Sequence, residues 1–342
     1  MHATIFDPPH AGWTAMLASQ PQRPQWLRTP RDQTIEALDL NPTLPIVASG
    51  HQASIWHAGI LAKFIALEAL PATPVHFVAD HDANDPGLIA VPFFKEGVLH
   101  EAPWRALRVQ TGAATGAQPP MPPTSPPVGS PPAADAIAAA LAKETTAPNL
   151  AFQVANAAAS LAEPWTGIIP RRSISALLQA PIGFALLERL KDDPLAAAEA
   201  YNEAIKNTRR VARPLAIDGS LVELPMWRDT PTGRTKVLSN EFAESDSFRP
   251  NAMLAIALLR LGACDLYVSG TGGVEYGGAM ERWLELWLGA DVRAALAPTV
   301  VASATITLDH SPAPVQLRTE AYDRILNDPL AEVRGGPSLE KQ

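Results

Sequence analysis

The sequence predicts an α/β fold, with a mostly parallel sheet between two layers of helices. Residues 44–49 and 74–79 are short and almost continuously apolar, as is typical of strands that are buried on both faces of a sheet. Residues 51–70 lie between them, lack proline and repeat apolar residues at helical spacing. Strand, helix and strand form one β-α-β unit, which predicts a right-handed crossover between parallel neighbours.

The same alternation returns later in the chain. Strands are predicted at residues 221–224, 236–239, 265–269 and 299–308, and helices at residues 251–261 and 276–288. With the first unit they predict a Rossmann-like three-layer α/β/α core that is formed by residues 1–112 and 215–325. We expect residues 1–40, which mix proline, tryptophan and polar residues, to wrap the outside of this core.

The middle of the chain differs in composition. Residues 119–132 contain eight prolines in fourteen positions and no periodic apolar pattern. This composition predicts an extended linker over residues 113–132 that folding does not require. Residues 133–214 show helical periodicity interrupted by prolines, which predicts a helical insertion between the two halves of the sheet. The polar residues 326–342 are expected to form a C-terminal tail.

Charge and cysteine content limit the partners of the chain. Its 342 residues include 27 lysines and arginines against 35 acidic residues, so no sequence-independent attraction to nucleic acid or to an anionic membrane is expected. No apolar stretch reaches the roughly 20 residues of a membrane-spanning helix. The single cysteine, Cys264, excludes an intramolecular disulfide and suits a reducing compartment. We therefore expect a cytoplasmic protein with a small-molecule substrate, and composition leaves the oligomeric state open.

The first candidate site is the junction Gly50-His51-Gln52, where the first predicted strand meets the predicted helix. Ligands of open α/β sheets bind at the carboxyl ends of the strands, and a helix N-terminus offers free N–H donors to an anion. His51 and Gln52 are predicted in the first helical turn, and His57 about two turns further along. The alternative is that His51 only caps the helix and that His57 is a half-buried side chain.

The second candidate site follows the next strand. Asp80, His81 and Asp82 offer two carboxylates and an imidazole, which could hold a hard cation such as Mg²⁺ or supply a general base. Parallel strands end at the same edge, so this loop is predicted to lie beside Gly50. The alternative is an ordinary solvated acidic loop.

The third candidate site is the glycine-rich turn at residues 270–278. Gly270, Gly272 and Gly273 let the backbone approach a ligand closely, and Tyr276 follows at the start of the next helix. The turn matches neither the dinucleotide fingerprint nor the Walker pattern, so no cofactor follows from it. The alternative is a tight turn without a ligand. We expect the three sites to line one pocket.

The order of these motifs resembles the family of bacillithiol-synthesis cysteine-adding enzymes, which are regarded as cysteine ligases with a Rossmann-like core. The residues that carry the resemblance are Gly50-His51-Gln52, Lys63, Asp80-His81-Asp82, Asn251 and residues 270–276. The similarity covers residues 44–95 and 245–305. His51 stands where the family has a glutamine, and the chain is expected to be a short, divergent relative without the family's C-terminal coiled coil. The resemblance implies substrate contacts by Lys63 and Asn251, and ATP and Mg²⁺ as cofactors.

The predicted activity is that of a ligase or transferase, which joins an activated carboxylate to an amine or thiol compound. The predicted catalytic residues are His51, Asp80, His81 and Asp82, with Asp80 and Asp82 as base or Mg²⁺ ligands. The predicted substrate-binding residues are Gly50, Gln52, His57, Lys63, Asn251, Gly270, Gly272, Gly273 and Tyr276. Two alternatives stay open: a metal-dependent hydrolase that uses the same carboxylates and histidines, and a small-molecule-binding protein without catalysis.

Overall fold

The computed structural model describes residues 3–19, 21–95, 98–110, 115–208, 211–230, 233–242 and 248–306. Its strands are β1 (Ala3–Asp7), β2 (Ile46–Gln52), β3 (Thr73–Ala79), β4 (Leu88–Lys95), β5 (Val98–Arg105), β6 (Arg171–Ser173), β7 (Ile217–Asp218), β8 (Leu221–Thr230), β9 (Gly233–Leu238), β10 (Phe248–Pro250), β11 (Leu266–Ser269) and β12 (Thr299–Thr305). Its α-helices are α1 (Trp13–Ala18), α2 (Gln25–Ala37), α3 (Ala58–Glu68), α4 (Pro132–Lys143), α5 (Leu150–Thr166), α6 (Ser175–Leu178), α7 (Pro181–Asp192), α8 (Pro194–Ile205), α9 (Ala252–Gly262), α10 (Val274–Leu288) and α11 (Ala290–Ala294).

The central sheet has the order β1-β12-β11-β2-β3-β6, and every neighbouring pair except β1 and β12 is parallel. Helices cover both of its faces. Val47 of β2 belongs to the apolar cluster of Leu67 in α3, whereas the adjacent Ala48 belongs to the cluster of Leu258 in α9. Successive side chains of a strand point to opposite faces, so a sheet buried on both faces requires a continuous apolar run. The predicted α/β class with a mostly parallel, Rossmann-like sheet is confirmed.

The register of β2 and β3 places two of the predicted sites together. Gly50 lies opposite Phe77, and Gln52 lies opposite Ala79, the last residue of β3. The expectation that the Gly50 junction and the Asp80 loop share one edge is therefore confirmed. The predicted start of the helix was wrong, because pairing with β3 continues β2 through Gln52 and α3 begins only at Ala58. His51 and Gln52 thus lie on a strand end and not in a helical turn.

The N-terminal residues belong to the core and do not only wrap it, which corrects the prediction for residues 1–40. β1 adds an antiparallel edge strand, with Ile5 opposite Ser303 of β12. Trp13 of α1 is fully buried in the same cluster as Val47. The large apolar surface of an indole favours such burial over a position on the outside.

The middle of the chain also contributes to the sheet. Residues 133–214 are not helical throughout, because β6 pairs in parallel with β3, with His76 opposite Arg171. Side chains of α7 and α8 belong to the same apolar cluster as those of α9. The antiparallel hairpin of β4 and β5 was not predicted either. Residues 133–214 therefore extend the sheet.

The proline-rich segment contains no helix or strand over residues 119–131, yet it is bound to the core. The fully buried amide of Gln153 donates to the carbonyl of Met121 at 2.7 Å and accepts from the Met121 N–H at 3.0 Å. The N–H of Thr124 donates to the carbonyl of Ala106 at 2.8 Å, and the Thr124 hydroxyl accepts from the Trp104 indole at 3.1 Å. These contacts argue against the expectation that folding does not require the segment, because its loss would leave buried polar groups without partners.

The second half follows the predicted order of elements. α9, β11 and α10 lie within two residues of their predicted positions, whereas β8 and β9 form a longer hairpin than expected. β12 is described as far as Thr305, and the predicted tail at residues 326–342 lies outside the described residues. In the part of the chain that the structure describes, no helix is both long enough and apolar enough to cross a membrane.

Candidate active site

Lys63 joins two of the three predicted sites. Its Nζ atom donates to the carbonyl of Gly50 at 3.1 Å, at the carboxyl end of β2. Gly270 lies against the same side chain, because a Cβ atom added there would be 3.8 Å from the Lys63 Cδ atom. The Gly50 junction and the glycine-rich turn therefore contact one lysine, as the order β11-β2-β3 of the sheet requires.

The environment of Lys63 is unusual for a lysine. The residue is 4% exposed, and no carboxylate of the described residues forms an ion pair with it. Burial without a countercharge disfavours the ammonium form and lowers the pKa of Lys63 to about 7. At neutral pH the side chain therefore exists in both protonation states, which suits proton transfer.

The ring of His51 turns back onto the backbone of the next residue, Gln52. Its Nδ1 atom is 2.8 Å from the carbonyl oxygen of Gln52. A carbonyl can only accept, so Nδ1 carries the hydrogen and Nε2 keeps a free lone pair. Burial and the nearby Lys63 lower the pKa of His51 to about 3. His51 is therefore a neutral hydrogen-bond acceptor and a weak base.

His57 has the capping role that was considered for His51 only as the alternative to a ligand contact. It is the N-cap of α3, and its Nδ1 atom accepts from the N–H of Gly59 at 3.0 Å. Burial, followed by the charge of Lys63, lowers its pKa, which keeps the ring neutral and able to accept. The capping function considered for His51 thus belongs to His57.

Asp80 is bound on both oxygens. Its Oδ2 atom accepts from the hydroxyls of Ser173 and Ser175 at 2.7 and 2.8 Å, and its Oδ1 atom accepts from the Ser175 N–H at 3.0 Å. Burial opposes ionisation, but the nearby imidazole of His81 and the hydrogen bonds from the two serines outweigh it and lower the pKa of Asp80. The carboxylate therefore stabilises the turn between β6 and α6. Because both of its oxygens already accept hydrogen bonds, it does not fit the predicted role as a direct Mg²⁺ ligand or as a base.

His81 lies next to Asp80. It is 8% exposed, and its Nδ1 atom is 3.8 Å from the Asp80 Oδ1 atom, too far for a hydrogen bond. Within the described ranges, this Nδ1 atom has no hydrogen-bond partner. His81 therefore lies next to Asp80, and within the described ranges no hydrogen bond or ion pair links it to Lys63.

Asp82, in the loop after β3, is hydrogen-bonded to Gln52 at the end of β2. The amide of Gln52 donates to its Oδ2 atom, and the N–H of Ala83 donates to its Oδ1 atom at 2.6 Å. Among the described residues, no group of three or more His, Cys, Asp or Glu side chains surrounds a common point that could hold a metal. Asp82 with Gln52 is therefore better suited to orient a polar substrate group than to form a cation site with Asp80.

The glycine-rich turn has two glycines with different roles. A short 3-10 helix, Thr271–Gly273, leads into α10. A Cβ atom at Gly273 would lie 2.2 Å from the Ser269 Oγ atom, whereas Gly272 has open space around it and does not have a left-handed φ angle. A side chain at Gly273 would thus force the Ser269 hydroxyl to move, whereas Gly272 is exposed at the edge. Tyr276, in the first turn of α10, is half-buried against the main core.

Asn251 caps α9 and lies apart from the lysine. Its Oδ1 atom accepts from the Leu254 N–H at 2.9 Å, and its Nδ2 atom donates to the Tyr201 hydroxyl at 2.9 Å. Both polar ends of the amide are therefore used within the core. The described contacts give Asn251 no bond to Gly50 or Lys63, so its predicted substrate contact has no support in this geometry.

Two residues near the site were missed by sequence reasoning. His76 of β3 is buried beside the ring of Phe64, 4.6 Å between centroids, and neither of its nitrogens has a partner in the described part of the chain. Burial is the main cause of a pKa well below its usual range. Tyr267 of β11 lies against Gly50, where an added Cβ would be 3.4 Å from its hydroxyl oxygen. A histidine inside an otherwise apolar strand was the available signal for His76.

The carboxyl edge thus brings together Gly50, His51, Lys63, Gly270 and the pair of Gln52 and Asp82, but it leaves out Asn251. No family model matches the chain, and a search of curated proteins finds no match. The resemblance to the cysteine-adding enzymes therefore stays a prediction.

Proposed function

We propose that the chain is an enzyme of the ligase or transferase type, which joins an activated carboxylate to an amine or thiol compound at the carboxyl edge of β2 and β11. The observation that carries this proposal is the buried Lys63, which forms no ion pair with a carboxylate of the described residues. Burial of an amine without a countercharge destabilises a fold, and such groups occur most often where their chemistry is used.

Lys63 would act as the general base. In its neutral form, the Nζ atom takes the proton of the attacking amine or thiol as the new bond to the carboxyl carbon forms. The activated carboxylate carries a phosphate-containing leaving group on that carbon. The bond between them then breaks, and the leaving group departs with the bonding electrons. A pKa of about 7 suits this exchange, because both the neutral and the charged lysine are accessible at neutral pH.

The neighbouring groups would hold the substrates in place. The free Nε2 lone pair of His51 would accept a hydrogen bond from the attacking amine or from a hydroxyl of the acid. The first N–H groups of the 3-10 helix Thr271–Gly273 have no intrahelical acceptor and would stabilise the negative oxygen that develops at the carboxyl group. The resemblance adds the expectation that ATP, supplied with Mg²⁺, activates the acid and that cysteine is the thiol compound.

The proposal is tested by measuring phosphate and pyrophosphate release from ATP and Mg²⁺ in the presence of cysteine and a panel of small carboxylic acids. We expect release that requires both cysteine and one acid, that Lys63→Met abolishes and that Lys143→Met leaves intact. Lys143 is an exposed lysine in the last turn of α4 and serves as the matched control.

Three results would contradict the proposal. Phosphate or pyrophosphate release that does not depend on the acid or on Lys63 would show that the chain does not catalyse the proposed coupling. Hydrolysis that requires zinc or manganese would favour the metal-dependent hydrolase. Ligand binding by the wild-type chain without turnover under any condition would favour the binding protein.

A further inference from the structure

Two clefts lie at the amino ends of β2 and β11, at the opposite edge of the sheet from Lys63. The first has a volume of about 320 Å³ and is lined by residues 21–23, Arg28, Arg31 and Asp32. The second has a volume of about 260 Å³ and is lined by residues 42–46, Ile35, Arg31 and Asp265, and Leu44 presents an exposed apolar side chain there. The two clefts are neighbours, because Arg31 lines both of them.

One buried carboxylate faces two arginines between these clefts. Asp265 accepts from the Ile46 N–H at 2.9 Å and from Arg31 at 2.6 Å, whereas Arg23 is 3.5 Å away. The Arg23 side chain is only 8% exposed, and its Nε atom, like that of Arg31, has no hydrogen-bond partner among the described residues. Burial and the charge of Arg31 lower the pKa of Arg23 despite the carboxylate. Asp265 thus does not fully compensate the positive charge that is buried here.

Further positive charge faces the first cleft. The Nε atom of Arg28 donates to the Arg23 carbonyl at 2.7 Å, and no other hydrogen bond of Arg28 occurs within the described ranges. α2 begins beside these arginines, without a side-chain cap and without an acidic residue in its first turn, so its positive dipole end is uncompensated. The acidic side chain on this cleft is Asp32, which is 77% exposed and 3.6 Å from Arg31.

We infer that the first cleft binds the phosphate group of a small phosphate monoester, and that the second cleft holds the apolar part of the same molecule. Guanidinium groups match phosphate oxygens in pairs, which favours Arg23 and Arg28 as the donors. The local excess of positive charge in a chain with a formal charge of −8 gives the cleft its selectivity for anions. This site does not depend on the function proposed for Lys63, and Lys63→Met should leave it unchanged.

The test is isothermal titration calorimetry of the full chain with phenyl phosphate and with inorganic phosphate, at constant ionic strength. We expect phenyl phosphate to bind the wild type and the control Arg282→Gln equally, and to bind Arg28→Gln at least tenfold more weakly. Arg282 is exposed on α10, away from the cleft, and Arg28 has no buried partner side chain, so both variants should fold. Arg23→Lys keeps the charge but loses the forked donors and should weaken binding as well.

Equal affinity in the wild type, Arg28→Gln and Arg23→Lys would overturn the assignment, as would no binding by the wild type. Tighter binding of phenyl phosphate than of inorganic phosphate supports occupation of the second cleft. Equal binding of the two probes would contradict that part of the inference.

Discussion

Replacement of Lys63 by methionine should stabilise the protein while it removes the proposed activity. Methionine keeps most of the apolar stem that packs beside Gly270, but it carries no charge. A fall in pKa from 10.5 to about 7 corresponds to about 5 kcal/mol of destabilisation at neutral pH. The loss of the hydrogen bond to the Gly50 carbonyl costs about 1–3 kcal/mol in return. We therefore expect Lys63→Met to be more stable than the wild type by about 3 kcal/mol at pH 7.

This advantage should depend on pH in a defined direction. The folded chain loses the Lys63 proton near pH 7, whereas the unfolded chain keeps it up to about pH 10.5. Between these values the unfolded state binds one more proton, so rising pH stabilises the wild type relative to the variant. The difference should be fully present below about pH 7 and should shrink as the pH rises. It should reverse by about pH 10.5, because only the cost of the lost hydrogen bond to Gly50 then remains.

Urea unfolding of the wild type, Lys63→Met and Lys143→Met at several pH values measures this difference, and other titrating groups cancel in the comparison. Lys143→Met should match the wild type throughout, because Lys143 is exposed. A Lys63→Met variant that is less stable than the wild type at pH 7, by an amount that does not change with pH, would refute the reasoning.

Three further substitutions test the structural roles. Asp80→Asn should lower the free energy of unfolding by about 2 kcal/mol, because the hydrogen bonds from Ser173 and Ser175 then reach an uncharged acceptor. Asp82→Asn should change the free energy of unfolding by less than about 0.5 kcal/mol. Similar losses in the two variants would contradict the anchoring role of Asp80. Gly273→Ala should cost about 1 kcal/mol, and the cost should vanish in a Ser269→Ala background, as a double-mutant cycle would show. Gln153→Leu should cost about 3 kcal/mol in urea unfolding, since it leaves the Met121 backbone unpaired, and an unchanged stability would show that the proline-rich segment is dispensable after all.

Much of the sheet could be predicted because burial on both faces leaves a local signature. The apolar runs of β2, β3 and β11 are visible without any knowledge of their neighbours. The end of β2 could not be predicted, because His51 and Gln52 are polar and become strand residues only through pairing with β3. β6 is three residues long and contains two arginines, so its place in the sheet depends on contacts that its own sequence does not show.

The candidate site was predictable in its location and less so in its roles. Asp80 was predicted to be catalytic because its hydrogen-bond partners, Ser173 and Ser175, lie far away in the sequence and could not be identified from it. The sequence alone made Lys63 a weak candidate and the resemblance strengthened it, although a lysine in the middle of the apolar helix α3 was a clear signal. The lack of an acidic partner for Lys63 among the described residues depends on the whole fold, so no local pattern could predict it.

The central claim is that Lys63 loses its proton near neutral pH at the carboxyl edge of the sheet. NMR titration of the protein with ¹³C-labelled lysine Cε measures this directly, with the Lys63 signal assigned by its absence in Lys63→Met. We predict a midpoint at about pH 7 for the Lys63 signal. A Lys63 signal that shows no titration below about pH 10 would contradict the proposed base and the function that depends on it.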